Sequence, residues 1–173
     1  MKASAFSYAR ATSVGNALDL LIAHGESAKV LSGGQSLMPA MNLRLISPEM
    51  IIDIGELAEL RGIAVRGNVV HIGALTRHVD LARSPEIATH APLLTQANGH
   101  VAHHAIRNRG TTGGRLAPAE PASQLPACMV TPGALMMLVG HPCRTSPAPS
   151  RLCTVDTPRS SAPRGPPVRL RSR

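Results

Sequence analysis

The sequence predicts an α+β fold, and three observations point to it. A helix signal, a short apolar strand and a glycine turn follow one another in residues 13–36, an order that fits an α+β or α/β element. A further strand is predicted over residues 50–54. Residues 62–66 and 69–73 then flank Gly67-Asn68, a dipeptide typical of two-residue hairpin turns. We therefore expect a β-rich domain with helices on its flank.

The first predicted helix has a capping residue at each end. Ser13 can accept a hydrogen bond as the N-cap, apolar residues of 14–22 fall on one face, and Gly25 provides a left-handed stop. A buried strand over residues 28–31 follows and ends at a glycine turn. Pro39 comes too soon for a clear helix after that turn, and the Gly-x-Gly-x-x-Gly spacing is absent. The sequence therefore does not favour a Rossmann fold.

Two helices are predicted after the hairpin. Thr76 is placed to cap the first, which runs over residues 77–83. The second is predicted from Pro92 to about His103, because apolar residues recur there at helical spacing. Its predicted buried side consists of Leu93, Leu94, Ala97 and Val101.

Three histidines at the end of that second helix raise the question of a metal site. His100, His103 and His104 recur at helical spacings, but no carboxylate or cysteine lies nearby in the sequence to complete a ligand set. The His-Glu-x-x-His pattern of zinc enzymes is absent as well. Because isolated histidine clusters are usually surface or packed residues, we predict no metal ligand in this chain.

Charge and cysteine usage limit the compartment and the partners. The net charge of +8 invites a nucleic-acid hypothesis, but residues 1–130 contribute only +2 of it and residues 131–173 contribute +6. No apolar run reaches the length of a membrane helix, and the N-terminus lacks the apolar core of a secretion signal. Cys128, Cys143 and Cys153 match no zinc spacing and no disulfide framework. We expect a cytoplasmic protein with no nucleic-acid partner and no membrane span.

The composition changes at Thr131. Eight of the 15 prolines lie in residues 131–173, mixed with Ser, Arg and Gly, and no apolar period survives beyond Leu138. Such a segment cannot bury enough surface to offset its chain entropy. No aromatic residue is interleaved with its arginines for base stacking. We predict a disordered tail over residues 131–173.

Two glycine turns carry the strongest functional signal. The stretch Ser32-Gly33-Gly34-Gln35-Ser36 follows a predicted strand, and Thr111-Thr112-Gly113-Gly114 lies later in the chain. Glycine leaves its amide unshielded, so each turn can direct several N–H donors at one anion. A single glycine pair is most often a plain turn. Two such turns in so short a chain predict one phosphate-rich ligand held from two sides.

With both turns placed, the chain resembles the FAD-binding medium subunit of molybdenum hydroxylases. This is the family of carbon monoxide dehydrogenase flavoproteins and of the flavin domain of xanthine dehydrogenase. The resemblance covers about residues 5–129. The segments that carry it are Phe6-Ser7-Tyr8-Ala9, residues 30–39 around the first turn, Gly73-Ala74-Leu75-Thr76 after the hairpin, and residues 106–114 with Leu116-Ala117 and Pro121-Ala122 behind the second turn.

The resemblance implies a fold, a cofactor and partners. The fold is PCMH-type, with an N-terminal FAD-binding subdomain over residues 1–57 and an incomplete second subdomain, containing an antiparallel sheet, over residues 58–130. FAD would lie between them, accept electrons from the iron–sulfur small subunit of a complex with a molybdopterin large subunit, and reduce an external acceptor. Such an oxidoreductase subunit requires no acid–base pair, and none is visible. The implied cofactor-binding residues are Ser32, Gly33, Gly34, Gln35, Ser36, Thr111, Thr112, Gly113, Gly114 and Glu120.

Three departures from the family pattern are visible. Glu120 stands where the family usually has Asp. Arg115 stands where a small polar residue is usual, beside the expected phosphate path, where a cation can either help binding or crowd the loop. The likeness ends near Val130, and the tail has the composition of a GC-rich gene read out of frame. We therefore expect a truncated or frameshifted flavoprotein, and the alternative function is that of a remnant that binds no flavin.

Overall fold

The computed structural model describes residues 2–67, 69–101, 103–118, 124–130, 134–139 and 152–158. They form one parallel and one antiparallel sheet with helices packed against both, which confirms the predicted α+β class. The strands are β1 Ser7–Arg10, β2 Ala28–Leu31, β3 Met50–Asp53, β4 Ile63–Arg66, β5 Val69–Ile72, β6 Leu135–Val139 and β7 Leu152–Pro158. The helices are α1 Val14–His24, α2 Leu37–Asn42, α3 His78–Arg83, α4 Pro85–His90, α5 Pro92–Gly99, α6 His104–Arg107, α7 Thr112–Leu116 and α8 Gln124–Val130, with 3₁₀ turns at Gly25–Ser27 and Ala58–Leu60.

The parallel sheet has the strand order β1-β3-β2. Ser7 of β1 and Ala28 of β2 both lie opposite Met50, so the carboxyl ends of all three strands lie at the same edge. The first loop, which we define as residues 32–36, leaves this edge directly after β2. One hydrophobic core joins this sheet to α1 and to the residues that follow β3. Its buried members are Ala11, Ala17, Leu18, Leu21, Ala28, Ile52, Ile54, Leu57, Leu60 and Leu75.

Helix α1 has the caps that the sequence predicts. The Ser13 hydroxyl accepts a hydrogen bond from the Asn16 amide at 3.0 Å, and Gly25 ends the helix at a φ of 55°. Ala17 and Leu21 are buried, as expected. Ile22 is 58% exposed and not part of the core, because it lies at the margin of the face that the buried residues define.

The expectation that no clear helix follows the first loop is wrong, because α2 lies there. Pro39 does not prevent a helix after the first loop: it lies inside α2, which has six residues. Proline is tolerated in the first turn of a helix because the amide it lacks has no intrahelical partner at that position. Ser36 is the N-cap residue of α2, without a side-chain cap bond.

The antiparallel sheet has the strand order β4-β5-β7-β6. Its first two strands form the predicted hairpin, with Arg66 opposite Val69 and Gly67 at a φ of 57°. Asn68, the other predicted turn residue, lies outside the described residues. The hairpin prediction is confirmed for the two strands.

Two strands of this sheet lie in the range predicted to be a disordered tail. β7 pairs with β5, with Thr157 opposite Val70, and β6 pairs with β7. The structure differs from the prediction in these two segments because β5 supplies backbone partners to β7, and β7 supplies them to β6, whereas an isolated segment has none. Apart from these strands and Ala134, residues 131–173 lie outside the described residues, and disorder there stays a prediction.

The helices after the hairpin begin differently from the prediction. Thr76 does not cap α3, whose N-cap residue is Arg77, because the Thr76 hydroxyl donates to the Gly62 carbonyl at 2.8 Å. An additional helix, α4, was not predicted. It is capped by Ser84, whose hydroxyl accepts from the Ile87 amide at 3.2 Å.

Helix α5 begins at Pro92 as predicted but ends at Gly99, before the histidines. His103 is the N-cap residue of α6, so the three histidines do not share one helix. Of the predicted buried side, Leu93 is 40% exposed, whereas its other three members are buried. Among the described residues, no group of three His, Cys, Asp or Glu side chains is placed to hold a metal ion.

Candidate functional site

A cavity of about 370 Å³ is lined by both glycine turns. We define the second loop as residues 110–115, and it lines the cavity together with the first loop. Much of the remaining wall is aliphatic, with Leu37, Ala40, Ile46, Ile54, Val101 and Ile106 among its members. The structure therefore places the two turns at one site, as the sequence analysis expected.

Direct contacts join the two loops. The Thr111 hydroxyl donates to the Ser32 hydroxyl at 3.2 Å, across 79 positions of sequence. A Cβ atom at Gly33 would lie 2.3 Å from the Arg109 carbonyl oxygen, and one at Gly114 would lie 2.7 Å from the Ser32 hydroxyl oxygen. Real Cβ atoms do not approach so closely, and the Arg109 carbonyl is backbone, so glycine is required at position 33 for the loops to meet; at position 114 the close atoms belong to side-chain hydroxyls, which can rotate.

The first loop leaves its backbone donors unused. Gly34 has a φ of 68°, and the Gln35 side chain donates to the Gly33 carbonyl at 3.0 Å, which braces the turn from within. The amides of Gly33, Gly34, Gln35 and Ser36 donate to no group among the described residues. These four amides are therefore available as hydrogen-bond donors in a loop that lines the cavity.

The second loop uses its donors to hold itself in place. The amides of Thr112, Gly113 and Gly114 donate to the Thr76 carbonyl at 2.9 Å, the Ala74 carbonyl at 2.8 Å and the Thr111 hydroxyl at 3.2 Å. The Thr112 hydroxyl, which is fully buried, also donates to the Thr76 carbonyl at 3.0 Å. The sequence analysis expected these amides to point at the ligand, but those of Thr112 and Gly113 donate to residues 74–76 and that of Gly114 donates within the loop.

The charged side chains that line the cavity are positive. Lys29 and Arg115 belong to its wall, and no carboxylate does so among the described residues. Arg115, which the sequence analysis singled out as a departure, therefore lies where an anionic ligand would be attracted to it.

His78 is a cavity residue that the sequence analysis did not predict. Its ring is 3% exposed, and its Nδ1 atom has no hydrogen-bond partner among the described residues. Burial, with a smaller contribution from the positive charge of Arg115, lowers the pKa of His78 to about 4. The imidazole is therefore neutral at physiological pH.

The structure places most of the predicted site residues at the cavity. Thr112 is the exception among those described, since it is buried behind the second loop. Glu120 lies outside the described residues, and its contact with a ligand stays a prediction. Lys29 and His78 were missed because a single Lys in a strand or a single His after Thr76 carries no motif. The predicted residues that line the cavity are Ser32, Gly33, Gly34, Gln35, Ser36, Thr111, Gly113 and Gly114.

Two further features bear on the environment of the protein. Within the part of the chain that the structure describes, no helix is long and apolar enough to cross a membrane. Cys128 is a free cysteine of intermediate burial on α8.

Comparison with protein families gives one match over most of the chain. Residues 4–148 match a family described as the FAD binding domain in molybdopterin dehydrogenase. This match continues beyond residue 130, where the sequence analysis expected the likeness to end.

Comparison with individual proteins gives relatives from the same class. The chain is 44% identical to the carbon monoxide dehydrogenase medium chain of Hydrogenophaga pseudoflava over 144 residues, which is 83% of this chain and 50% of that one. It is 38% identical to caffeine dehydrogenase subunit beta of Pseudomonas sp. (strain CBB1) over 137 residues, which is 79% of this chain and 46% of that one. The chain thus spans about half the length of the curated relatives it matches.

A solved structure has the same fold. Carbon monoxide dehydrogenase from Hydrogenophaga pseudoflava, in a form that lacks the Mo-pyranopterin moiety of its molybdenum cofactor, matches with a TM-score of 0.88 at 36% sequence identity. The match covers 94% of this chain and 62% of that one.

Proposed function

Because the chain belongs to the family of FAD-binding domains in molybdopterin dehydrogenases, whose cofactor is FAD, we propose that it is the FAD-binding electron-transfer subunit of a molybdenum hydroxylase. The observation that carries the proposal is the single cavity lined by both glycine loops. FAD supplies the redox chemistry when bound, passing electrons from an iron–sulfur subunit to an external acceptor. The protein supplies the position and the electrostatic environment.

The cavity fits this cofactor in three respects. The four unused amides of the first loop offer donors for a diphosphate, as oriented backbone amides do in other phosphate sites. Lys29 and Arg115 provide positive charge without an opposing carboxylate among the described lining residues. The aliphatic wall matches the flavin ring system or the adenine, since cofactor pockets are mostly apolar with a few placed polar groups.

The two loops take different parts in the proposed binding. The amides of residues 33–36 hold the diphosphate, and the Ser36 hydroxyl, which is exposed beside them, adds a further donor. Thr111 and Thr112 act indirectly, because their hydroxyls already donate within the protein. Gly113 and Gly114 allow the second loop to lie close to Ala74 and the first loop. Glu120 remains a proposed FAD contact.

The proposed setting is a cytoplasmic hetero-oligomer with an iron–sulfur small subunit and a molybdopterin large subunit. Support comes from relatives that are named as medium chains or subunits of dehydrogenases. A free Cys128 is consistent with a reducing compartment. We further propose the subdomain limits 1–57 and 58–130. The parallel sheet lies in the first range, and the β4–β5 hairpin lies in the second.

The test is reconstitution with FAD. The full chain is purified, freed of flavin and titrated with FAD, while the quenching of flavin fluorescence and the visible flavin spectrum are followed. Saturable binding of one FAD per chain is expected. A chain that folds, as judged by circular dichroism, yet takes up no FAD would support the alternative of a remnant. The frameshift hypothesis is tested separately, by whether another reading frame beyond codon 148, where the family match ends, continues the family's sequence.

A further inference from the structure

His78 is held at the cavity wall by the second loop. Its backbone amide donates to the Gly110 carbonyl at 3.0 Å. Its ring lies against the same residue, since a Cβ atom at Gly110 would be 2.8 Å from the ring Cδ2 atom and 3.1 Å from Nε2. The orientation of the ring is therefore fixed by packing and not chosen by a hydrogen bond.

The hydrogen-bonding capacity of this ring is unused. Nδ1 is enclosed and has no partner among the described residues, although the residue is 3% exposed. Because this atom is enclosed by protein, a ligand in the cavity can meet the ring only at its other nitrogen, Nε2. The lowered pKa of about 4 keeps the ring neutral, so it has one N–H donor and one acceptor to offer.

Arg115 lines the same cavity as His78. Its backbone amide donates to the Thr111 carbonyl at 3.1 Å, which ties it to the second loop, and its residue lines the cavity with His78. Its positive charge contributes to the lowered pKa of His78, so the two groups are within electrostatic reach. A guanidinium and a neutral imidazole that line one cavity can both donate N–H groups to an anion.

We propose that His78 and Arg115 form a second contact for the diphosphate of the bound flavin nucleotide, in addition to the first-loop amides. Arg115 binds a phosphate oxygen as an ion pair, and the His78 ring donates a hydrogen bond to the same diphosphate. The inference rests on the proposed function. It makes Arg115, where this chain departs from its family's small polar residue, a determinant of affinity and not an obstruction.

The test separates the phosphate from the flavin ring. FAD and riboflavin are titrated by flavin fluorescence into the full-length wild type, Arg115→Ser and His78→Phe, and ADP is measured by competition with FAD. Each variant is expected to bind FAD and ADP about tenfold more weakly, because a hydrogen bond to a charged group is lost, while riboflavin affinity is unchanged. Arg115→Lys keeps the charge and is expected to lose less. Arg109→Ser and His100→Phe, at exposed positions outside the cavity wall, are the matched controls.

The outcomes are distinguishable. If the wild type binds no FAD, the proposed function fails and the inference fails with it. If the wild type binds FAD and both variants bind it as tightly or more tightly, the inference alone is overturned. An equal loss of riboflavin and FAD affinity would mean general damage to the cavity and would also overturn it. Urea unfolding midpoints of each variant identify any that fail to fold, in which case Arg115→Lys and the ADP measurement decide.

Discussion

The two glycine loops are similar in composition and opposite in the use of their amides. The first loop leaves the amides of residues 33–36 without partners among the described residues. The second loop donates those of Thr112, Gly113 and Gly114 to the protein itself. The first loop therefore keeps donors for the binding role proposed above, whereas the second loop uses its donors to hold itself in place, although the sequence of both predicts anion-binding turns. A glycine-rich motif shows that a backbone comes close to something, and only its hydrogen-bond partners show whether that is a ligand.

The largest expected effect follows from the point where the loops meet. Gly33→Ala places a Cβ atom 2.3 Å from the Arg109 carbonyl, a backbone atom that cannot move aside alone. We expect a loss of about 3 kcal/mol in the free energy of unfolding, as for overpacking of a close contact, together with loss of FAD binding. Gly99→Ala, which meets nothing within 4 Å, is the control and is expected to retain wild-type stability. If urea unfolding gave Gly33→Ala the same free energy of unfolding as Gly99→Ala, this result would contradict the close contact.

The next effect is a pH dependence of stability that arises from His78, which packs against the second loop. The pKa of His78 lies at about 4 in the folded protein and at 6.5 in the unfolded chain, so the unfolded chain takes up the proton first as the pH falls. The contribution to stability is complete above pH 6.5 and is lost as the pH falls towards 4. Between about pH 7 and about pH 5 this amounts to about 2 kcal/mol.

The measurement compares urea unfolding of the wild type and His78→Phe at the two pH values. All other ionisable groups are common to the two proteins, so only the difference between them reports on His78. The wild type is expected to lose about 2 kcal/mol more than the variant. Equal losses would mean that the ring is protonated in the folded state, contrary to its burial.

A pair of substitutions tests the division of labour directly. Thr112→Val removes the buried hydrogen bond to the Thr76 carbonyl and is expected to cost about 1 kcal/mol of stability with little change in FAD affinity. Ser36→Ala, at an exposed position, is expected to leave stability unchanged and to weaken FAD binding by about 1 kcal/mol, or roughly fivefold. Fluorescence titration and urea unfolding of both variants provide the four numbers. If Thr112→Val weakened FAD binding and Ser36→Ala lowered stability, the proposed roles of the two loops would be wrong.

The smallest effect concerns the hydrogen bond between the loops. Ser32→Ala removes the acceptor of the Thr111 hydroxyl at 3.2 Å, but that hydroxyl still accepts from the Gly114 amide. We expect a loss of about 0.5 kcal/mol in the free energy of unfolding, at the lower limit for a partly exposed hydrogen bond. Thermal denaturation with Ser7→Ala as the reference, an exposed serine at the start of β1, is sensitive enough to detect it. A loss as large as that of Gly33→Ala would mean that the hydroxyl pair and not the backbone contact holds the loops together.

Much of the local structure was predictable from the sequence. The cap at Ser13, the stop at Gly25, the strand from Ala28 and the hairpin around Gly67 depend on neighbours within a few residues, and all are present. Errors arose where a longer-range contact prevailed over a local preference. Thr76 has the residue type of a helix cap, but its hydroxyl donates to Gly62, which is 14 positions away.

The sequence by itself determined the family, through the resemblance of its motifs. It also determined the α+β class and the two loops that line the cavity, because glycine spacing and hydrophobic period are local properties of the chain. Only the tertiary structure decided which amides stay available, since those of Thr112 and Gly113 find their acceptors more than 30 positions earlier. It also placed His78 at the cavity and paired β7 with β5. These features depend on groups that are distant in sequence and brought together by folding. No local pattern encodes which amide or which ring nitrogen will lack a hydrogen-bond partner.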